Sequence, residues 1–279
     1  MDLRSAARRG SRLVRTLQPD SPDRQRLLEA ELARVGRQLR RTRAQLRSAR
    51  AEITEAHYAL PDDVEQVISR VREERLTFLG ANHLRNLATC VCDIEADGVP
   101  GVVIEAGTAR GGSAIVIAAA KAPDRPMKVF DVFDMIPPPG DRDGADVHKR
   151  YLRIAGGTAK GLGGDVYYGY RENLDEEVRA SFARLGVPLE DNGVELVKGL
   201  FQNTMEIAGP VAFAHLDGDW YDSTMTCLSR IAPRLSTGGR IVVDDYYAWS
   251  GCRRAVDDYF ENRDGYRLLR RAKLHVVKV

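Results

Sequence analysis

Two acidic groups and a glycine-rich turn are the parts of this sequence whose residue types and spacing can do chemistry. His215-Leu216-Asp217-Gly218-Asp219-Trp220-Tyr221 closes one short apolar run, and Val243-Asp244-Asp245-Tyr246 closes another. If both runs are neighbouring strands of one sheet, their acids project at the same end. Gathering carboxylates costs like-charge repulsion, which a bound divalent cation removes. Oxygen-only ligands suit Mg2+, which keeps waters and leaves room for a substrate oxygen. A cation so placed lowers the pKa of an acceptor hydroxyl and orients it. The plain alternative is a set of solvated loop acids and helix caps.

The turn is Glu105-Ala106-Gly107-Thr108-Ala109-Arg110-Gly111-Gly112-Ser113. Glycines let the backbone approach a ligand and adopt positive φ, and a helix starting behind them offers free N–H groups. The spacing differs from the G-x-G-x-x-G of dinucleotide binders. Asp131 closes the next run, Val129-Phe130-Asp131. An acid at that place commonly receives ribose hydroxyls. Glu105 and Asp131 flanking the turn therefore fit an adenosine cofactor without a pyrophosphate. A tight strand–helix turn and an ordinary helix cap are the bland readings of the same residues.

These groups need a parallel sheet to hold them. Val102-Val103-Ile104, Met127 to Phe130, Val194 to Val197, Val211 to Leu216 and Arg240 to Val243 read as buried strands. Helical stretches over 114–120, 174–185, 223–234 and 251–262 separate them. That alternation predicts an α/β fold with a doubly wound sheet. Residues 63–97 read as helical, with Val64, Val67, Ile68, Val71, Leu76, Leu79, Leu84, Leu87 and Val91 on apolar faces.

Upstream, Leu28, Leu32, Val35, Leu39, Thr42, Leu46, Ala49, Ile53, Ala56 and Leu60 keep a 4–3 alternation. That spacing predicts a long helix forming a coiled coil between subunits or packing along its own domain. Residues 1–60 are thus expected to be a basic arm and coiled-coil helix, and residues 61–279 the catalytic domain. Charge divides the chain in a similar way. Residues 1–50 hold 14 Arg against 5 acids, while the remainder holds 28 basic residues against 35 acidic. The basic arm is read as solvated, with weak contact to an anionic membrane as its functional alternative and no nucleic-acid partner expected. Cys90, Cys92, Cys227 and Cys252 form no Cys-x-x-Cys pair. Reduced thiols, no signal-peptide core and no apolar run long enough to span a bilayer give a cytoplasmic expectation.

Taken together, these blocks resemble the macrocin-type sugar O-methyltransferases of antibiotic pathways over roughly residues 70–262. The turn ending Arg110-Gly111-Gly112-Ser113 resembles the family's cofactor turn, and Asp131-Val132-Phe133 its Asp-Ser-Phe. Lys198-Gly199-Leu200-Phe201-Gln202-Asn203-Thr204 is similar to the segment beside the adenine. Leu216 to Thr224, and Gly238-Gly239 through Asp244-Asp245-Tyr246, are similar to the paired metal motifs, and Gly251 to Asp257 to the helix after them. The resemblance implies a Rossmann-like class I methyltransferase fold. It also implies that Glu105, Gly107, Gly111, Gly112, Ser113, Asp131, Lys198 and Gly199 hold S-adenosylmethionine, with Thr77 touching it. By the same resemblance Asp217, Asp244 and Asp245 ligate magnesium, and either Asp217 or Asp219 is the general base. Ala106, Ala109, Val132 and Asn203 depart from the family pattern. The segment from Pro137 to Tyr170 is longer than the family's and reads as a lid, with His148, Tyr151, Tyr167, Tyr168 and Tyr170 as candidate acceptor contacts.

The expected reaction is methyl transfer to a hydroxyl of a sugar on a natural product or glycan by a homo-oligomer. A catechol-type phenol is the second acceptor class. A cephalosporin-hydroxylase-like enzyme on the same fold is the other enzymatic alternative, although no histidine–carboxylate triad for iron is evident.

Overall fold

The computed structural model describes residues Arg26, 28–36, Gln38, Thr42 and 60–279. The chain divides into two compact units, 1–51 and 52–279. In the first, residues 28–36 are helical, with Leu28, Leu32 and Val35 exposed. The rest of the expected coiled-coil stripe, up to Ala56, lies outside the described residues except for Thr42, and Leu60 is buried in the second unit.

The second unit begins with α1 (Asp62–Glu73) and α2 (Ala81–Ala96). The single helix expected over 63–97 is therefore broken at residues 74–80. Arg75 takes a left-handed φ of 57° there, and Gly80 starts the next helix. The break has a consequence for the site. Leu76 uses its carbonyl to accept the Gly112 N–H at 3.1 Å, which an unbroken helix would have kept for itself.

The alternation then runs β1 (Val102–Ala106), α3 (Gly112–Ala120), β2 (Met127–Asp131), α4 (Ala145–Ala155) and α5 (Leu174–Arg184). It continues with β3 (Val194–Lys198), a short α6 (Phe201–Thr204), β4 (Val211–Leu216), α7 (Tyr221–Ile231), β5 (Leu235–Val243) and α8 (Ser250–Phe260). A hairpin, β6 (Tyr266–Arg270) and β7 (Leu274–Lys278), closes the chain. Strand order is β3-β2-β1-β4-β5-β7-β6. The five predicted strands are parallel, and β7 is antiparallel to both β5 and β6.

Helices cover both faces of the parallel part, which explains why its strands are runs of Val, Ile, Ala and Phe rather than alternating patterns. Val103, Ala114, Ile115, Val91 and Val178 fill one core, and Ile104, Ala214, Ile241, Leu228 and Val256 the other. Each Val, Leu or Ile side chain among them contributes about 1.5–3 kcal/mol by leaving water. Among the described residues no helix is long and apolar enough to cross a membrane.

The hairpin brings one ionisable group into this core. His275 on β7 is fully buried, with Nε2 lacking a hydrogen-bond partner and Nδ1 3.9 Å from the Cys90 sulfur. Burial, then the nearby Arg240 and Arg271, push its pKa down from 6.5 to about 3. The folded chain thus keeps His275 neutral where the unfolded chain binds a proton, so its effect on stability appears as pH falls from 6.5 towards 3. Over that window it should cost about 1.4 kcal/mol per pH unit. Urea melts of wild type and His275→Leu across pH 7 to 4 test this. The wild type is expected to lose stability more steeply, and parallel curves would refute it.

Candidate active site

Hydrogen bonding between the parallel strands continues one residue past their ends and fixes the site. Gly107 N–H donates to the Phe130 carbonyl (2.8 Å), Asp217 N–H to Ala106 (2.8 Å), Asp244 N–H to Leu216 (2.9 Å) and Gly199 N–H to Asp131 (2.9 Å). Asp131, Gly107, Asp217 and Asp244 therefore stand in a row across the carboxyl ends of β2, β1, β4 and β5. The strand order reverses between β1 and β4, and open α/β sheets bind ligands in such a crevice.

A cavity of about 500 Å3 lies over this row. Gly107, Ser113, Asp131, Asp217, Asp219, Asp244 and Asp245 line it, as does Thr77 from the break between α1 and α2. Gly107 has φ 87°, and a Cβ there would fall 2.0 Å from the Asp217 carbonyl oxygen. No other residue permits the turn and the acidic strand end to lie this close.

On the turn side, Asp131 is buried and organises backbone. Its Oδ2 accepts the N–H groups of Thr108 (2.7 Å) and Ala109 (3.2 Å), and its Oδ1 that of Phe133 (2.8 Å). Burial pushes its pKa up, and these N–H donors oppose the rise. A carboxylate offers about four acceptor positions, so three donors leave it capacity for a ligand hydroxyl.

Other predicted cofactor residues support the turn from behind. Glu105 is fully buried; Oε1 accepts the Ser113 hydroxyl (2.5 Å) and Oε2 meets His215 Nδ1 (3.1 Å). Both of its oxygens are thus engaged inside the protein, and it does not line the cavity. Gly111 takes φ 87° at the start of α3, and a Cβ on Gly112 would meet the Leu76 carbonyl at 2.7 Å. Gly199 braces Asp131, while Lys198 turns to the surface and pairs with Asp175 at 2.9 Å. These four also lie outside the lining.

On the acceptor side, single carboxylate oxygens of Asp217, Asp244 and Asp245 lie within 4.8 Å of one another. Two unit charges at that distance repel by about 3 kcal/mol at an effective dielectric of about 20. Asp244 Oδ1 and Asp245 Oδ2 are buried acceptors without a hydrogen-bond donor. Burial and the neighbouring carboxylates push the pKa of Asp217 and of Asp245 well above the usual range. Burial pushes Asp244 the same way, but Lys273 and His215 overcome it and hold its carboxyl below that range. Lys273 Nζ reaches Asp244 Oδ2 at 2.6 Å, and His215 Nε2 lies 3.6 Å from Oδ1. Asp219 has a left-handed φ of 56° and accepts the Trp249 indole N–H at 2.8 Å. Burial and the charge of Asp217 push its pKa up to about 7.

The 137–170 segment is more ordered than a bare lid. It folds as α4 and two single 3-10 turns around Ile154, Ala159 and Tyr167. Asp143 anchors it by accepting the Tyr221 N–H at the start of α7 (2.9 Å), and Trp220 donates to the Pro137 carbonyl (3.0 Å). Tyr167 and Tyr168 reach the cavity. Tyr170 instead donates its hydroxyl to the Ile154 carbonyl, and His148 and Tyr151 are not in the lining. Phe78, His83, Arg150, Trp249 and Lys273 line the cavity without having been singled out in the sequence. Each comes from an element whose approach depends on tertiary packing, so no local motif marks it.

The family model described as Macrocin-O-methyltransferase (TylF) matches residues 29–267. A 4'-O-methyltransferase from Streptomyces olivaceus, acting on 8-demethyl-8-(2,3-dimethoxy-alpha-L-rhamnosyl)-tetracenomycin-C, is 39% identical over 66% of this chain and 67% of its own length. Mycinamicin III 3''-O-methyltransferase from Micromonospora griseorubida is 34% identical over 66% of this chain and 69% of its own. The solved structure of the O-methyltransferase NovP superposes with a TM-score of 0.59 at 30% identity, covering 73% of this chain and 81% of that one.

Proposed function

Since the chain belongs to the macrocin O-methyltransferase family and is an enzyme that transfers methyl groups, we propose that it methylates a sugar hydroxyl on a glycosylated natural product, with S-adenosylmethionine as donor and Mg2+ at the acceptor. The observation that carries this reading is the row of strand ends, where a glycine turn and Asp131 adjoin a triad of carboxylates across one cavity. S-Adenosylmethionine supplies the methyl group and Mg2+, when bound, lowers the pKa of the acceptor hydroxyl.

The residues fit both groups. Asp244 Oδ1 and Asp245 Oδ2 are buried acceptors without donors, and with Asp217 they form an all-oxygen set within 4.8 Å. Asp131, Gly107 and Ser113 would hold the cofactor, with Thr77 and Tyr168 on the remaining walls. Tyr167, Trp220 and Trp249 give the acceptor side an aromatic surface. Aromatic faces suit the apolar faces of a sugar ring and leave its hydroxyls to the acids.

Asp219 is the proton acceptor in this scheme. Trp249 fixes its Oδ1, and the carboxyl lines the acceptor side of the cavity, where it can take a hydroxyl proton. Arg150 and Ile154 of α4, with Tyr167, wall the cavity on the acceptor side. Much of the acceleration then comes from holding the reacting groups in line.

The test is calorimetry with S-adenosylmethionine, followed by transfer of labelled methyl to rhamnosylated natural products and to their aglycones. Cofactor binding and labelling of the glycosides alone are expected. Absence of cofactor binding would overturn the proposal, and labelling of an aglycone phenol would shift it to the catechol class. In the same assay Asp219→Asn should lower kcat by about 10²–10⁴-fold with cofactor affinity unchanged.

A further inference from the structure

Lys273 is a cation placed among the carboxylates that the proposed function assigns to Mg2+. It lies beyond residue 267, where the family match ends. Its position follows from the hairpin. Leu274 pairs with Val243 across the antiparallel β5–β7 ladder, so the residue before Leu274 falls opposite the residue after Val243. Lys273 therefore faces Asp244, donating to Oδ2 at 2.6 Å and to the Asp244 main-chain carbonyl at 3.1 Å. Its side chain is 18% exposed and lines the cavity. A second observation points to a further ligand beside it. The ammonium engages Oδ2 only, leaving Asp244 Oδ1 and Asp245 Oδ2 buried without a donor. Lys273, with His215 Nε2 3.6 Å from Oδ1, neutralises part of the triad and leaves an unfilled oxygen set next to it.

We propose that Lys273 sets the cation affinity of the acceptor site, sharing Asp244 with the divalent cation so that the cation binds weakly and exchanges readily. The proposal rests on the metal reading above. Two physical effects follow from the geometry. The ammonium holds Asp244 in its ligating position before a cation arrives, which keeps the site shaped. It also places a like charge beside the incoming cation and occupies one of the oxygens available to it, both of which oppose binding. Lys273 is thus a positioning and affinity-setting residue, acting through Asp244 rather than on the reacting atoms.

The experiment titrates the full chain with Mn2+, counting free ion by electron paramagnetic resonance at fixed pH and ionic strength. Lys273→Met, which keeps the stem and removes the charge, is expected to bind Mn2+ about ten- to a hundredfold tighter, the range over which partners of metal ligands act. Lys273→Gln should tighten in the same direction, and Lys273→Arg should stay near wild type. Adding Asp245→Asn to Lys273→Met should abolish the gain, which assigns it to this site. A merely structural lysine predicts weaker or unchanged binding in Lys273→Met, and either result would overturn the proposal while wild-type binding keeps the metal reading. No Mn2+ binding by any of the proteins overturns both. Thermal melts add a second check: without divalent cation Lys273→Met should melt below wild type, and with Mn2+ it should recover more than wild type gains. Failure to recover would count against the proposal.

Discussion

Asp245→Asn is expected to abolish most activity while leaving the protein at least as stable as wild type in the absence of divalent cation. Asp245 Oδ2 is buried with no hydrogen-bond donor, and the nearby Lys273 ammonium compensates the charge of this carboxyl only in part. Burial and the charges of Asp219 and Asp244 hold its pKa well above the usual carboxylate range. Without a cation the carboxyl is therefore strained towards its neutral form, and a neutral amide of the same shape fits at little cost. With a cation the balance inverts, because an amide supplies no negative charge. Loss of one ligand should remove several kcal/mol of transition-state stabilisation, about a thousandfold in kcat/KM. The measurement pairs methyl-transfer rates over a Mg2+ series with thermal melts in chelator. A variant that is inactive because it unfolds would melt lower. Full activity in chelator, for wild type and variant alike, would remove the cation from the mechanism.

Asp131→Ala should act on the other half of the site and show itself in cofactor binding. Three backbone N–H groups, of Thr108, Ala109 and Phe133, converge on this carboxylate, the first and third of them buried. Removing it leaves all three without an acceptor, at about 1–3 kcal/mol each before relaxation. The turn that follows β1 then loses its position, and so does the wall of the cavity. We expect affinity for S-adenosylmethionine to fall by at least about a hundredfold, or 2.7 kcal/mol. Cation binding at the triad should survive, because Asp217, Asp244 and Asp245 do not touch this carboxylate. Calorimetry with the cofactor and a separate Mn2+ titration distinguish the cases. Cofactor affinity within error of wild type would show that cofactor binding depends neither on this carboxylate nor on the turn it holds.

The parallel part of the fold was readable because burial on both faces leaves a compositional signature. Val102-Val103-Ile104, Val211 to Leu216 and Arg240 to Val243 all became strands, and Asp131, Asp217 and Asp244 stand at or one step past a strand end. The helical reading of 63–97 missed the break at 74–80 because Leu76 and Leu79 continue an apolar pattern. In the structure the left-handed Arg75 ends the helix, and the Leu76 carbonyl accepts the Gly112 N–H instead of a helical one. The β6–β7 hairpin escaped notice because Leu274 to Val277 is a short apolar run that periodicity cannot assign by itself.

What the sequence by itself determined was chemistry arranged along the chain: glycines where backbone must come close, and acids at the ends of apolar strands. It also carried the family, since those motifs keep their order and spacing. The tertiary structure decided which of these groups face the cavity and which brace it. Glu105 and Asp131 are both acids at consecutive strand ends, yet the first spends its two oxygens on Ser113 and His215 while the second opens onto the ligand space. Lys273 is the converse case, a residue in an unremarkable Arg-Arg-Ala-Lys turn that antiparallel pairing sets against Asp244. Residue type and spacing are local, whereas the direction of a side chain and the charge beside it are set by strand order and register. Those depend on contacts between residues far apart in the chain.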